Sequence, residues 1–389
     1  MTPDITTISI CVALLLLSAV SPFANPFFRK NNERKKDNRE RKGDDTGNKQ
    51  QLPPISIVIT AHDNATEIQR NLPSILTQKY DAGIQVIVVA EKGDSETEDI
   101  LKLLASQDNR LYYTLIPESS RYMSRKKLAM TVGIKAARHE WVMLTEPTCT
   151  PVSDQWIAAM AANCRDGIDM VTGYSNFNDN APLYCRFERL QTECYLLHET
   201  DNGMAYRHSG ANLLLRKRVF MENEGFRGNL NLVRGEYDFI VNKFATADNT
   251  ISETSGSAWV REQRLSHKEW KYRHLNYLET RKLLKRSFRH RLTFNTDQAL
   301  LHIPFIITIL AISLSATFGQ WLIAGTAIAS LAINATLRGI FMRKCMRMFG
   351  ERIPSVLALP LQLAVGWHHI YYFIQHLMAD KLDFTTHKL

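Results

Sequence analysis

Three apolar runs in the first half of the chain end in residues whose types can bind a charged ligand. Ligands of open α/β sheets bind outside the carboxyl ends of the strands, so these residues are expected to line one pocket. Their mixture of acids and bases suits a nucleotide diphosphate, although ordinary turn chemistry also explains polar residues in loops. The three groups are Ala61, His62 and Asp63; Glu91, Lys92, Gly93 and Asp94; and Glu146, Pro147 and Thr148.

The elements that must position these residues alternate between strands and helices. Short β-rich runs, apolar enough for burial on both faces, are separated by segments with helical periodicity. This alternation predicts an α/β domain with a mostly parallel sheet and crossover helices. The predicted strands are residues 55–61, 84–90, 111–116, 141–145 and 168–174, and the predicted helices are residues 67–78, 96–107 and 125–138.

Apolar stretches at both ends of the chain approach the roughly 20 residues that cross a bilayer. Residues 5–23 precede nine basic residues between Arg29 and Lys49. That order favours an anchor over a cleavable signal peptide, whose positive charge precedes its apolar core. Residues 299–318 and 321–341 form a predicted hairpin with a basic exit, and residues 353–377 either span the membrane or lie in its interface. The positive-inside bias then predicts a cytoplasmic middle domain.

The excess of 48 Lys and Arg over 39 Asp and Glu admits several anionic partners. It is concentrated beside apolar stretches, including a basic group from Arg264 to Arg291, which favours membrane lipid over nucleic acid. A helix in that group is predicted to be amphipathic, with an apolar face turned inward. The residues of this face are Leu275, Tyr277, Leu278, Leu283 and Leu284.

Several blocks between about residues 55 and 270 resemble glycosyltransferase family 2. ISIVITAHDNATEIQRNLPSILTQ resembles the family's opening strand and helix, and RKKLAMTVGIKAA resembles its lysine-bearing helix, with Lys126 at the lysine position. GANLLLRKRVFMENEGF is similar to its acceptor-side block, which contains Gly210, Ala211 and Asn212. The blocks follow the family's order. The resemblance implies a GT-A fold that binds a nucleotide-sugar donor, in a membrane-anchored enzyme of bacterial type.

The resemblance and the apolar stretches together divide the chain into six predicted segments. These are an N-terminal transmembrane anchor at residues 1–28, a basic linker at 29–52, a GT-A domain at 53–260, a basic amphipathic interfacial segment at 261–297, a transmembrane hairpin at 298–342 and a third C-terminal membrane or interfacial helix at 353–377.

The resemblance also implies the donor-binding residues, which are Ala61, Asp63, Glu91, Lys126, Glu146 and Thr148. Of the acidic pair that holds the nucleoside in the family, only Glu91 remains. Glu146, Pro147 and Thr148 stand at the family's DxD position, which coordinates a divalent cation such as Mg²⁺ or Mn²⁺. Glu146 is therefore the predicted metal ligand. Without the cation, Lys126 or Arg273 must stabilise the leaving group.

The predicted catalytic residues are Glu236, Asp238 and Arg273. The run from Arg234 to Phe239 resembles the family's acidic block, shortened by one residue, so either acid is the expected general base. Without the resemblance, two acids near a helix start only stabilise that helix. Arg273 matches one position of a QxxRW-like motif of membrane-bound members, and the neighbouring Trp270 equally suits a helix on lipid headgroups.

These observations predict an inverting glycosyltransferase in the bacterial inner membrane. It would move a sugar from a nucleotide-sugar donor to a lipid-linked or growing glycan acceptor at the cytoplasmic face, as part of polysaccharide biosynthesis. One alternative is a processive polysaccharide synthase, for which two to four spans are few. Another is a non-catalytic GT-A-like binding subunit, which the altered DxD position favours. A nucleic-acid binder ranks last, because the positive charge lies beside apolar segments.

Overall fold

The structure is a computed structural model, and it describes residues 4–24, 51–117 and 123–385. The chain divides into two compact units. One unit comprises Met1–Lys30 and Arg286–Tyr371, and the other comprises Asn31–Lys285 and Tyr372–Leu389. Most of the predicted basic linker, residues 29–50, and both ends of the predicted anchor, residues 1–3 and 25–28, lie outside the described residues.

Strands and helices alternate through the middle of the chain, and long helices dominate its two ends. The strands are β1 (Ile55–Thr60), β2 (Ile84–Glu91), β3 (Leu111–Ile116), β4 (Trp141–Thr145), β5 (Cys149–Pro151), β6 (Met170–Gly173), β7 (Ser175–Phe177), β8 (Leu213–Arg216), β9 (Thr250–Glu253) and β10 (Val260–Glu262). The helices are α1 (Ile5–Val20), α2 (Ala65–Leu76), α3 (Ser95–Gln107), α4 (Arg125–Ala136), α5 (Trp156–Ala161), α6 (Leu183–Asp201), α7 (Lys217–Glu222), α8 (Glu236–Phe244), α9 (His267–Thr280), α10 (Phe288–Thr317), α11 (Trp321–Met348), α12 (Ala358–Met378) and α13 (Leu382–Thr385).

The larger sheet has seven strands within the described residues, in the order β3-β2-β1-β4-β8-β6-β9. β1 pairs in parallel with β2 and β4, with Ile55 opposite both Ile84 and Trp141. β2 also runs parallel to β3, and β6 runs parallel to β9. The predicted α/β class and mostly parallel sheet are confirmed. β8 was not predicted from the sequence, and it runs antiparallel to both of its neighbours, β4 and β6.

A smaller sheet of three strands, again counting only described residues, lies beside the end of β4. Its order is β5-β10-β7, with β10 antiparallel to β5 and parallel to β7. Glu262 on β10 is the register partner of Cys149 on β5. Because β5 begins three residues after Glu146, this pairing brings a second carboxylate close to the DxD position, although the two residues are far apart in sequence.

The larger sheet is covered by helices on both faces, which explains the uninterrupted apolar runs of its parallel strands. Ile57 belongs to the core on one face, together with residues of α2 and α5. Val58 belongs to the core on the other face, together with residues of α4 and α8. Helix α4 approaches the sheet closely because Gly133 has no side chain: a Cβ at this position would lie 2.4 Å from Val58 Cγ1.

Three of the described helices are long and apolar enough to cross a membrane, with mean hydropathy of 2.1, 2.2 and 1.3; they are Ile5–Ala24, Phe288–Thr317 and Trp321–Met348. The prediction of apolar helices at both ends of the chain is thereby confirmed. The first helix of the predicted hairpin begins at Phe288 rather than at residue 299. Ser287 caps it there, because its side-chain oxygen accepts a hydrogen bond of 3.1 Å from the backbone N–H of His290.

Most of the third C-terminal apolar stretch forms α12, which is one continuous helix from Ala358 to Met378. The unit that contains the three long apolar helices also buries a charged side chain, Arg338 on α11. Its guanidinium donates hydrogen bonds of 3.0 Å to Asn334 Oδ1 and to the Leu300 carbonyl oxygen. Such partners are required of a cation held within an apolar helix bundle.

Candidate active site

Glu146 lies at the carboxyl end of the central strand β4, where one oxygen of its carboxylate has two partners. Lys126 Nζ lies 2.7 Å from Glu146 Oε1. The hydroxyl of Tyr237 donates a hydrogen bond of 2.8 Å to the same oxygen. Lys126 Nζ also lies 5.8 Å from the centre of the Tyr237 ring, close enough for a cation–π interaction. The end of β4 and the first turns of α4 and α8 therefore converge on a cluster of Lys126, Glu146 and Tyr237.

The side chains of this cluster differ in what they can offer a ligand. Burial raises the pKa of Tyr237 well above its usual value of 10, and the charge and hydrogen bond of Glu146 raise it further. Tyr237 is therefore a hydrogen-bond donor at neutral pH. The side chains of Lys126 and Glu146 are 24% and 17% exposed, so both are half-buried but reachable from solvent. An ammonium ion has three donors, and one contact to Glu146 leaves donors for an anionic ligand.

The residues at the DxD position do not fit a divalent cation. One oxygen of Glu146 is already shared by Lys126 and Tyr237. Pro147 has no side-chain ligand, and its carbonyl oxygen accepts a hydrogen bond of 2.8 Å from Asn71 Nδ2. The Thr148 carbonyl accepts the backbone N–H of Gln263 at 2.9 Å. Mg²⁺ and similar ions prefer several oxygen ligands. The Lys126 ammonium, which is paired with the one carboxylate of these three residues, also repels a cation, by about 4 kcal/mol per unit charge at 4 Å near a protein surface.

Arg273 contacts the second carboxylate near this cluster. Its Nη1 donates to Glu262 Oε2 at 3.2 Å, and its Nη2 donates to Oε1. Arg189 Nη2 donates to Glu262 Oε2 from the other side at 2.7 Å. Burial raises the pKa of Glu262, but Arg273 and Arg189 outweigh burial and hold it below the usual value. Lys126 contributes to this lowering, and Glu146 helps to raise the pKa of Arg273, so the two groups are electrostatically coupled.

The two predicted general bases lie in different surroundings at the start of α8. Glu236 is 4% exposed, and its Oε1 has no hydrogen-bond partner among the described residues. Glu236 interacts electrostatically with Lys127, whose pKa burial lowers to about 8 although the charge of Glu236 opposes that shift. Lys127 Nζ donates to the carbonyl oxygens of Asn229, at 2.6 Å, and of Leu232.

Asp238 is paired with a cation. Arg207 Nε lies 3.3 Å from Asp238 Oδ1, and the guanidinium carbon of Arg207 lies 3.9 Å from the centre of the Tyr277 ring. Burial raises the pKa of Asp238 above its usual value, and the attraction of Arg207 only partly offsets that effect. The geometry thus gives Asp238 a partner that it would have to leave in order to accept a proton.

Glu91, at the end of β2, belongs to a second charged group. Arg125 Nη1 lies 2.7 Å from Glu91 Oε2, and His62 Nδ1 lies 3.2 Å from the same oxygen. The first turn of α4 therefore supplies a cation to each of two acids, Arg125 to Glu91 and Lys126 to Glu146. Asp63 follows β1 with a φ of +52°, and its backbone N–H donates to Asp94 Oδ2 at 2.9 Å. Ala61 is buried, with its backbone N–H bonded to Val89.

The predicted acceptor-side residues are tightly packed. The amide of Asn212 accepts a hydrogen bond of 3.0 Å from Trp156 Nε1, and it donates to the carbonyl oxygens of Tyr174, at 3.0 Å, and Ala258, at 2.9 Å. A Cβ on Gly210 would lie 2.0 Å from Ser175 Oγ, and Ala211 is buried. Asn212 therefore holds three segments of the domain together, and acceptor contact at this block stays a prediction.

Sequence reasoning missed three residues of this region: Tyr237, Glu262 and Arg189. A signal existed only for Tyr237, which lies between the two predicted bases. Trp270 is buried and packs edge-on against Phe177 with ring centres 5.6 Å apart, so it belongs to the core rather than to a lipid-facing surface. Of the helix face predicted to turn inward, Leu275 and Leu284 are buried, Tyr277 and Leu278 are partly buried, and Leu283 is 45% exposed.

A family model and solved structures of other proteins are similar to this chain. Residues 53–242 match the family model described as glycosyltransferase like family 2. The structure is similar to that of the mannosyltransferase PcManGT from Pyrobaculum calidifontis in complex with GDP-Man and Mn²⁺, with a TM-score of 0.51 and 14% identity over 94% of this chain and 99% of that chain. It also matches GalNAc-T7 with UDP, GalNAc and Mn²⁺, with a TM-score of 0.41 and 13% identity over 56% of this chain and 45% of that chain. A search of curated protein sequences gives no match.

The chain therefore carries a glycosyltransferase family 2-like domain with the GT-A fold. The family 2-like domain predicted from the sequence blocks and the enzyme class, a glycosyltransferase, are confirmed.

Proposed function

We propose that the protein is a membrane-bound inverting glycosyltransferase. It moves a sugar from a nucleotide-sugar donor to a lipid-linked or growing glycan acceptor at the cytoplasmic face of a bacterial membrane. The observation that carries this proposal is the cluster of Lys126, Glu146 and Tyr237 at the carboxyl end of the sheet, within the family 2-like domain. A half-buried ammonium ion at that edge suits the phosphates of a nucleotide sugar.

Glu236 is the general base in this proposal. In an inverting transfer, an acceptor hydroxyl attacks the anomeric carbon, its proton passes to the base, and the bond from that carbon to the diphosphate breaks as the nucleoside diphosphate leaves. Glu236 Oε1 and Asp238 Oδ1 both lack a hydrogen-bond partner among the described residues. Asp238 Oδ1, however, lies 3.3 Å from the guanidinium nitrogen Nε of Arg207, so Asp238 is held in an ion pair. Asp238 then serves to hold Arg207 in place.

The membrane location rests on the three apolar helices and on the charge beside them. Arg343, Lys344, Arg347 and Arg352 follow or end the last of these helices, and nine basic residues follow the first. Both groups favour the cytoplasmic side under the positive-inside rule. A catalytic domain covalently joined to such helices is confined to the membrane surface, where a lipid-linked acceptor is concentrated.

The test is donor hydrolysis and transfer by the detergent-purified full chain, measured across a panel of nucleotide sugars. With Glu236→Gln we expect turnover to fall by about 100-fold or more, because the loss of a general base typically costs 10²- to 10⁴-fold. Asp238→Asn is the matched variant two residues away, and it should retain much more activity. Equal loss in both variants would reject Glu236 as the base, and full activity in both would reject this acidic block altogether.

A second candidate is a non-catalytic subunit that binds a sugar nucleotide. The observation that favours it is that Glu146 is paired with Lys126 and accepts a hydrogen bond from Tyr237, which leaves the DxD position without a free carboxylate pair. Tight donor binding without hydrolysis or transfer, unchanged in Glu236→Gln, would support this candidate over the enzyme.

A further inference from the structure

We infer that the Lys126 ammonium ion, and not a divalent cation, is the positive charge that this site presents to the donor's diphosphate. The inference rests on the proposed function, because it concerns how the same pocket binds its nucleotide. It assigns Glu146 the role of holding Lys126 in place rather than that of ligating a metal.

The first argument is the occupation of the Glu146 carboxylate. Its Oε1 receives both the Lys126 ammonium, at 2.7 Å, and the Tyr237 hydroxyl, at 2.8 Å. Lys126 Nζ therefore occupies a position beside the carboxylate that a coordinated metal ion would take. The Tyr237 hydroxyl donates the 2.8 Å hydrogen bond, so the same oxygen already has a second donor in addition to the ammonium ion.

The second argument is the charge near the cluster. Glu262 lies between Arg189 and Arg273, and Arg189 Nη1 also lies 3.4 Å from Oε1 of the buried Glu193. These two guanidinium groups and two carboxylates carry no net formal charge. The pair of Lys126 and Glu146 is neutral as it stands. The site is therefore close to neutral without any metal, and the Lys126 ammonium is a positive charge that can turn from Glu146 toward a bound diphosphate. Arg273 is 37% exposed and can approach the same phosphates.

The third argument is that Lys126 is held and yet accessible. Helix α4 begins with a capped turn, in which Ser124 Oγ accepts the backbone N–H of Lys127 at 3.3 Å. The close packing of Gly133 on Val58 fixes the helix against the sheet. The ammonium at its first turn is pre-positioned by Glu146 and the Tyr237 ring, which lowers the entropy that is lost when it binds a phosphate.

The two roles of Glu146 predict opposite effects of one substitution. If Glu146 ligates a metal, Glu146→Gln weakens nucleotide binding and removes its dependence on metal. If Glu146 is the counter-ion of Lys126, the same substitution frees the ammonium, so nucleotide binding in chelator stays within about 3-fold of the original or becomes tighter. Lys126→Met should weaken it by about 10-fold or more, because charge-assisted hydrogen bonds to phosphate are lost.

The experiment is calorimetric titration of the detergent-purified full chain with UDP and with GDP, in EDTA and in Mn²⁺. Lys135→Met is the matched control, because Lys135 is an exposed lysine on the same helix. The double variant Lys126→Met, Glu146→Gln removes the pair without leaving an unpaired charge, and it should bind as weakly as Lys126→Met. Thermal unfolding of each variant establishes that it is folded.

Binding in EDTA that depends on Lys126 and not on Lys135 is the expected result. Binding that appears only with Mn²⁺ and is lost in Glu146→Gln would overturn the inference and leave the proposed function intact. Equal affinity of Lys126→Met and the unmodified chain would overturn it as well. If neither UDP nor GDP binds under either condition, both the inference and the proposed nucleotide-sugar function fail for these donors.

Discussion

Replacement of Glu262 by Gln removes the one negative charge that lies between Arg189 and Arg273. Glu262 is 7% exposed, and both of its oxygens accept hydrogen bonds from guanidinium groups. Loss of one partner from a buried ion pair typically costs about 3–5 kcal/mol, because the remaining charge stays buried without compensation. Here two arginines are affected, but Arg189 keeps the buried Glu193 at 3.4 Å, Gln keeps one accepting oxygen and Arg273 is partly exposed. We therefore expect a loss at the low end of that range, about 3 kcal/mol.

The pH dependence has a definite sign. Burial raises the pKa of Glu262, but the two arginines together hold it below 4.5. A carboxylate with a lowered pKa stabilises the fold above its unfolded value, and that stabilisation is lost as the pH falls through its folded value. The stability difference between the unmodified chain and Glu262→Gln is therefore fully present at pH 7 and narrows below about pH 4.5.

The assay is thermal unfolding of the detergent-purified chain, followed by tryptophan fluorescence at pH 7, 5 and 4. A loss of about 3 kcal/mol corresponds to a fall in Tm of roughly 6–12 °C for a domain of this size. Glu140→Gln is the control, because Glu140 is exposed, and its Tm should change by about 1–2 °C at most. A Tm fall at pH 7 no larger than that of the control would refute the assignment of Glu262 as the anchor of both arginines.

Two further predictions concern buried polar groups. Asn212→Ala should lower the free energy of unfolding by about 3 kcal/mol, because it leaves the Trp156 N–H and the carbonyls of Tyr174 and Ala258 without their partner; a Tm change under 2 °C would contradict this. Lys127→Met tests the pKa of about 8, lowered by burial against the charge of Glu236. Because the pKa of Lys127 is lower in the folded state than in the unfolded state, the unfolded state binds more protons between pH 8 and 10.5. The unmodified chain should therefore gain stability relative to the variant as the pH rises through that range. A constant difference in stability across the range would reject the lowered pKa.

Much of the fold could be predicted from local pattern. Runs of apolar residues that are buried on both faces identify β1, β2, β3 and β4, and apolar stretches of about 20 residues identify the long helices. Boundaries were less accurate where a capping residue lies outside the apolar run, as Ser287 does before α10. β8 could not be predicted, because its four residues carry no periodic signal and its antiparallel placement depends on strands far away in sequence.

The candidate site, like the fold, could be predicted only in part from the sequence. The residue types that follow the strands can be predicted from the sequence, because strand ends and turns are encoded locally, and Glu146 was indicated in this way. Lys126 was indicated by the resemblance of its helix to that of family 2. The fold was needed to show that these two residues form one ion pair, that Tyr237 bonds to Glu146 from 91 residues away, and that Arg189 reaches Glu262 across 73 residues. An electrostatic contact depends on distance in space, and residues brought together by sheet pairing leave no periodic trace in the chain.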